Sequence, residues 1–65
     1  MKTYIVIYEY GSHIYQDFGY DVVLVTPNFD DAFYRYRKPD NEQVKTSYME
    51  TWENENKIDT AYHNF

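Results

Sequence analysis

The chain of 65 residues contains no cysteine, so it can form neither a disulfide nor a thiolate metal site. Its two glycines are too few for a phosphate-binding loop of the Gly-x-Gly-x-x-Gly or Walker type. No apolar run approaches the roughly 20 residues that span a bilayer, and no signal peptide is recognisable after Met1. We therefore expect a single domain, residues 1–65, that is cytoplasmic and does not associate with a membrane.

Basic residues are also scarce. Six lysines and arginines stand against eleven acidic residues, which gives a net charge of −5. A nucleic-acid backbone needs a basic stripe on the protein that binds it, so we do not expect direct nucleic-acid binding. The acid excess either suits a basic protein partner or simply keeps the chain soluble, and both interpretations remain open.

Groups that could carry out catalysis are sparse. Ser12 and Ser47 lie outside any nucleophile-elbow context. His13 and His63 have no metal-motif spacing to each other or to nearby acids, and zinc needs three or four converging ligands. We expect no enzymatic activity, no catalytic residue, no metal and no cofactor.

Tyrosine, in contrast, is abundant: the chain has nine, and aromatic residues make up 22% of it. Tyrosine is common both in half-buried strands and at protein interfaces. Residues 3–10 alternate with a period of two, which predicts a strand. One side of this strand carries Tyr4, Val6, Tyr8 and Tyr10, and the other carries Thr3, Ile5, Ile7 and Glu9.

A second strand is predicted over residues 21–26, where four consecutive aliphatics leave no polar face. This pattern is typical of a central strand or of a strand covered on both sides. Residues 13–20 either extend the hairpin or form a long loop in which Gly19 bends with a positive φ. Pro27 ends the strand because it lacks an N–H donor for the ladder.

A helix is predicted from Phe29 to about Arg37. Asn28 is a natural N-cap, and two aspartates follow it in the first turn, where negative charge favours the helix dipole. Pro39 ends the helix. The apolar face is formed by Phe29, Ala32, Phe33 and Tyr36.

The C-terminal third allows two interpretations. Residues 44–52 and 57–63 are either two strands joined by a hairpin loop at Asn54-Glu55-Asn56, or a helix followed by a tail. The threonines, tyrosines and tryptophan of this region form strands better than helices, so we favour the two strands.

The predicted fold class is α+β: a small antiparallel sheet of three or four strands with one helix packed on one face, in the order β-β-α-β-β. So short a helix covers only one face, and an uncovered apolar face usually marks an interface with a second copy or another protein. Which face the helix covers is open. If it covers the Ile5 and Ile7 side, the tyrosine side is the binding surface; if it covers the tyrosines, Trp52 and the acidic C-terminal hairpin gain importance.

Two groups of residues are candidates for binding a protein. Trp52 is alternatively a core residue, and the acids alternatively form a solvated region that blocks edge-to-edge strand pairing. The predicted aromatic anchors, which dominate binding energies in many interfaces, are Tyr8, Tyr10, Tyr15 and Trp52. The predicted acidic contacts are Glu50, Glu53, Glu55 and Asp59.

The run "MKTYIVIYEYGSHIYQDFGYDVVLVTPNFDDAFYRY" resembles the opening of many small phage and prophage proteins, with a capped helix entered at Thr26-Pro27-Asn28. It covers about half of the chain. The resemblance implies a phage-encoded inhibitor that occludes a host defence or nucleic-acid-processing protein, with acids that mimic phosphates at a basic surface. The alternatives are a structural homodimer without a heterologous target and a nucleic-acid-binding module.

Overall fold

A computed structural model describes residues 1–11 and 19–65 of the chain. Its elements are β1 (Lys2–Tyr10), β2 (Gly19–Thr26), α1 (Phe29–Arg37), β3 (Val44–Glu53) and β4 (Asn56–Asn64). The predicted order β-β-α-β-β is confirmed, and the C-terminal third forms two strands rather than a helix and tail. The expected hairpin extension through residues 13–15 lies outside the described residues.

The four strands form one antiparallel sheet in the order β2-β1-β3-β4. Of the two alternatives predicted for β2, a central strand or a strand covered on both sides, the central position is wrong, because β2 lies at an edge. The alternative of a bend at Gly19 is also wrong: this residue begins β2 and does not have a positive φ.

Helix α1 begins and ends where local chemistry indicates. The side chain of Asn28 accepts a hydrogen bond from the backbone N–H of Asp31 at 3.2 Å, which satisfies one of the free donors of the first turn. In the last turn, Arg35 and Arg37 place positive charge near the negative end of the helix dipole. The predicted helix and its cap are confirmed.

The helix packs on the tyrosine side of β1. The hydroxyl of Tyr8 donates a hydrogen bond to the backbone carbonyl of Arg35, one of the carbonyls that the helix itself leaves without a donor. Tyr4 meets the ring of Phe29 edge-on, with centroids 5.4 Å apart. The buried core consists of Val6, Tyr8, Ala32, Tyr36, Val44 and Met49.

Three β-bulges decide which residues share a face. The pairing register shifts once along each of β2, β3 and β4, where Val23, Lys45 and Ile58 are the extra residues. In β2 the shift places Val22 opposite Ile7 and Val25 opposite Ile5, so both valines lie on the side away from the helix. The four aliphatics in a row therefore reflect a bulged edge strand with apolar residues on both faces.

Strands β3 and β4 are joined by a two-residue turn. Asn54 and Glu55 have positive φ angles of 50° and 72°, as the two central residues of a type I′ turn require. The predicted hairpin loop is confirmed. Asparagine tolerates the left-handed conformation, whereas glutamate adopts it at a cost of roughly 1 kcal/mol.

We expect Glu55→Gly to raise the free energy of unfolding by about 0.5–1 kcal/mol, because glycine adopts a positive φ without strain. Urea denaturation of the wild type and of the variant measures the change in the free energy of unfolding. The matched control is Glu55→Ala, which removes the same charge but keeps the Cβ atom and should not stabilise the protein. Equal stabilisation by both variants would show that charge, not backbone conformation, is responsible.

We expect Tyr8→Phe to lower the free energy of unfolding by about 1–2 kcal/mol, because the Arg35 carbonyl then lacks its buried donor. The control Tyr34→Phe removes a hydroxyl from a side chain that is 62% exposed, and should change stability by less than about 0.5 kcal/mol. Similar losses in the two variants would contradict a special role for the Tyr8 hydroxyl.

The same variant has an alkaline signature. Burial raises the pKa of Tyr8 above the ordinary value of 10.0. Above pH 10.0 the unfolded chain loses the Tyr8 proton while the folded chain still retains it. The free energy of unfolding therefore falls as pH rises from the unfolded to the folded pKa of Tyr8. Tyr8→Phe should therefore show a shallower loss of stability in this range.

Candidate functional site

The sheet face opposite the helix, here called the open face, is built from alternate residues of all four strands. Within residues 1–11 and 19–65, no helix or strand packs over it. Its apolar and aromatic members, assigned from the strand register, are Ile5, Ile7, Tyr20, Val22, Val25, Tyr48, Trp52 and Tyr62. Its charged members are Glu9, Glu50 and Lys57.

The open face is most exposed along its two edge strands. Val22 of β2 is 61% exposed and Tyr62 of β4 is 66% exposed, whereas Ile5 and Ile7 in the centre are half-buried by their neighbours. Single exposed apolar residues are ordinary, but a continuous apolar surface across four strands is typical of an interaction site.

Glu9 organises one half of the open face. Its Oε1 accepts a hydrogen bond from the hydroxyl of Tyr48 at 2.9 Å, and its Oε2 accepts one from the hydroxyl of Tyr20 at 3.3 Å. The two tyrosine rings lie with centroids 6.2 Å apart and planes inclined by 50°. Side chains from β1, β2 and β3 thus meet at one carboxylate.

Glu50 organises the other half. Its Oε1 accepts a hydrogen bond from the indole Nε1 of Trp52 at 3.0 Å, and its Oε2 lies 3.5 Å from the ammonium of Lys57. Glu50 lies opposite Ile5 of β1, and Ile5 is four residues before Glu9. From the rise per residue and the spacing between strands, Glu9 and Glu50 are about 14 Å apart across the sheet. The cross-strand pair of Ile7 and Tyr48 lies between them.

The hydrogen bond to Glu9 also changes the acidity of Tyr48. A neutral hydroxyl can donate to the carboxylate, but a phenolate cannot and would be repelled by it. This contact is the largest cause of the raised pKa of Tyr48, followed by desolvation.

The structure separates the predicted aromatic anchors. Tyr8 is 1% exposed and lies under the helix, so it is a core residue and cannot contact a partner. Tyr10 is half-buried on the same side and packs against that core. Trp52 lies on the open face, half-buried, outside the buried core. Tyr15 lies outside the described residues.

The predicted acidic residues do not form one patch. Glu50 lies on the open face, while strand alternation puts Glu53 on the helix side and the register puts Asp59 there too, opposite Thr51. Glu55 lies in the exposed turn. Four acids close in sequence therefore point to different sides, because β-strands turn successive residues to opposite faces.

Sequence reasoning missed the cluster of Glu9, Tyr20 and Tyr48 as a site. Its members come from three strands, and only the pairing register brings them together. The one signal in the sequence was Glu9, a charged residue on the side of β1 that carries Ile5 and Ile7.

Other potential sites are weaker in the part of the chain that the structure describes. No group of three or more histidine, aspartate or glutamate residues there could hold a metal ion. A shallow pocket beyond the helix C-terminus is lined by two basic and two acidic residues, so its charges balance: Arg37, Lys38, Asp40 and Glu42. None of the described helices is both long enough and apolar enough to cross a membrane.

Comparisons with protein-family models, with curated proteins and with solved structures give no match to this chain.

We expect Glu9→Gln to lower the pKa of Tyr48 toward the ordinary value, since glutamine accepts the hydroxyl without opposing the phenolate charge. An alkaline titration of the chain with labelled tyrosine rings, followed by NMR, measures this pKa. The control Glu42→Gln makes the same change of net charge at an exposed residue of the loop before β3, and should leave the Tyr48 pKa in place. An equal drop in both variants would mean that net charge alone sets the pKa.

Proposed function

We propose that this chain is a non-enzymatic protein-binding module that contacts a protein partner through the open face. The observation that carries the proposal is the bare apolar side of the sheet. Strand β2 has aliphatic residues on both faces, as expected of a strand covered on both sides. The helix covers one of these faces, and Val22 and Val25 on the other are 61% and 59% exposed.

The dimensions of the open face support this proposal. Four strands spaced about 4.8 Å apart, with about nine residues each at 3.3 Å per residue, form a surface of roughly 19 by 30 Å. That is on the order of 600 Å² before side-chain relief is included. A standard protein–protein interface uses about 800 Å² on each partner, so the open face is of the right order of size.

The chemistry of the open face also suits a protein partner. Aromatic residues with one polar end, such as Tyr20, Tyr62 and Trp52, supply contact area at low conformational cost and are enriched at interfaces. The candidate anchors are therefore the open-face aromatics, not Tyr8. Of the sequence-predicted residues, Trp52 and Glu50 are carried into this proposal.

The biological setting that we propose is inhibition of a host protein in the cytoplasm by a phage-encoded module. It rests on the resemblance of residues 1–36 to small phage proteins, and the net charge of −5 is consistent with a target that has a basic surface. The dispersal of Glu53, Glu55 and Asp59 removes support from a broad phosphate-mimicking patch. The carboxylates of Glu9 and Glu50, which lie among apolar residues of the open face, still support a target with a basic surface.

A homodimer is the second candidate, because two copies of one apolar face can cover each other around a twofold axis. Sedimentation velocity at tens of micromolar distinguishes a monomer from a dimer. A nucleic-acid-binding module has less support, since the one basic residue among the described residues of the open face, Lys57, is already paired with Glu50.

We expect a double variant, Val22→Thr with Tyr62→Thr, to lose the protein partner that the wild-type chain captures. Both side chains are more than half exposed, and threonine keeps the preference for strands, so the fold should be retained. Affinity capture from a bacterial lysate with quantitative mass spectrometry measures the loss as a ratio to wild type, and we expect at least about a tenfold reduction.

The matched control is Tyr34→Gln on the outer side of the helix. Tyr34 is 62% exposed, close to the 66% of Tyr62. Tyr34→Gln and Tyr62→Thr therefore remove similar exposed aromatic surface from opposite sides of the protein. The control should retain the partner. Equal capture by the control, the wild type and the double variant would contradict the proposal, as would a stable dimer that the double variant converts to a monomer.

A further inference from the structure

We propose that Glu9, Tyr20 and Tyr48 form a binding site for a single cationic side chain, best an arginine, presented by an apolar segment of the partner protein. This inference rests on the proposed function, because it names the chemistry of the partner that the open face takes. It goes further by assigning one carboxylate and two rings as the residues that select it.

Glu9 lies half-buried on β1, and its carboxylate accepts hydrogen bonds from the hydroxyls of Tyr20 and Tyr48. In the described part of the chain, no lysine, arginine or histidine lies within 4.0 Å of its carboxylate, whereas Glu50 has Lys57 at 3.5 Å. Among residues 1–11 and 19–65, therefore, Glu50 is paired with a cation and Glu9 is not.

The Glu9 carboxylate can accept further hydrogen bonds. An ionised carboxylate has about four acceptor positions, and the two hydroxyls use two of them. The hydroxyls also hold the group in one orientation, so a partner that reaches it meets a pre-organised acceptor. A guanidinium group donates through a planar fork that matches two carboxylate oxygens, and this match favours arginine over lysine.

Two aromatic rings lie beside the carboxylate. Both hydroxyls donate to Glu9, and the rings of Tyr20 and Tyr48 lie next to each other with centroids 6.2 Å apart. A cation within about 6 Å of a tyrosine ring is attracted by its face. A guanidinium at Glu9 would therefore gain from the carboxylate and from neighbouring ring surface together.

Charge complementarity also decides against a second copy of this chain as the occupant. Face-to-face docking of two open faces would bury two Glu9 carboxylates, and Lys57, the one cation among the described residues of this face, already pairs with Glu50. Burying an unpaired charge is strongly unfavourable. A partner that brings its own cation, surrounded by aliphatic residues that cover Ile7 and Val22, avoids that penalty.

The test uses the full chain and two capped peptides of known composition. The first is acetyl-Ile-Thr-Arg-Thr-Val-amide, in which an extended chain places the arginine and both aliphatic residues on one side, and the second replaces arginine by citrulline, which has nearly the same shape but no charge. Two-dimensional NMR titrations follow the amides of the open face and yield a Kd for each peptide. We expect the arginine peptide to bind roughly tenfold more tightly, with the largest shifts at Glu9, Tyr20 and Tyr48.

Two variants with the same net charge complete the test. Glu9→Gln keeps an acceptor for the tyrosine hydroxyls but removes the charge, and should reduce the preference for arginine over citrulline to about onefold. Glu42→Gln, in the exposed loop before β3, should keep the full preference and so controls for long-range electrostatics.

Each other outcome overturns the inference in a distinguishable way. Equal binding of both peptides at the open face would remove the cation site but leave the open face as a protein-binding surface. A preference that survives in Glu9→Gln would place the cation elsewhere. Absence of shifts with either peptide would reject the cation site, while the proposed function would still be decided separately by partner capture with the Val22→Thr, Tyr62→Thr variant.

Discussion

The hydrogen bond from Tyr8 to the carbonyl of Arg35 joins the two layers of this protein at the last turn of the helix. A side chain of the sheet supplies the donor that the last turn of the helix lacks, so the helix end, the first strand and the core around Val6 are stabilised together. Because α1 has only nine residues, its position on the tyrosine side leaves the other side of the sheet without a covering element among the described residues. The arrangement of the open face follows from this one constraint.

The open face carries both apolar side chains and carboxylates, a combination that is rare in a protein core. Its aliphatic and aromatic residues would be stabilised by burial, while Glu9 and Glu50 would be destabilised by burial unless they are paired. Glu50 is paired with Lys57, and Glu9 is held by two tyrosine hydroxyls without a paired cation among residues 1–11 and 19–65. A surface of this kind favours a partner with complementary charge, because apolar contact supplies affinity and the carboxylate rejects partners that lack a cation.

The directions of the acidic side chains also limit the ways in which negative charge can contribute to binding. A broad acidic patch would require Glu50, Glu53, Glu55 and Asp59 to point in one direction, but strand alternation and the turn direct them apart. Long-range attraction of a basic partner by the net charge of −5 is still available and raises association rates. Under the proposed function, specific recognition would depend instead on Glu9 and Glu50 as individual carboxylates within the open face.

Local residue chemistry was enough to predict the elements themselves: the alternation in β1, the Asn28 cap, the helix over 29–37 and the hairpin loop at Asn54-Glu55-Asn56 each depend on residues close in the chain. Two features of β2 could not be predicted in this way. Its edge position and its bulge at Val23 depend on which strand pairs with β1, and the four aliphatics are equally compatible with a central strand.

Local patterns in the chain were thus enough to predict a small, acidic α+β protein with too little helix to cover its sheet. They could not predict that the tyrosines of β1 are on the core side and that the Ile5 and Ile7 side is open, because both sides of β1 are apolar enough to face a helix. The tertiary structure also assembled Glu9, Tyr20 and Tyr48, since residues distant in the chain become neighbours only through the register of long-range strand pairing.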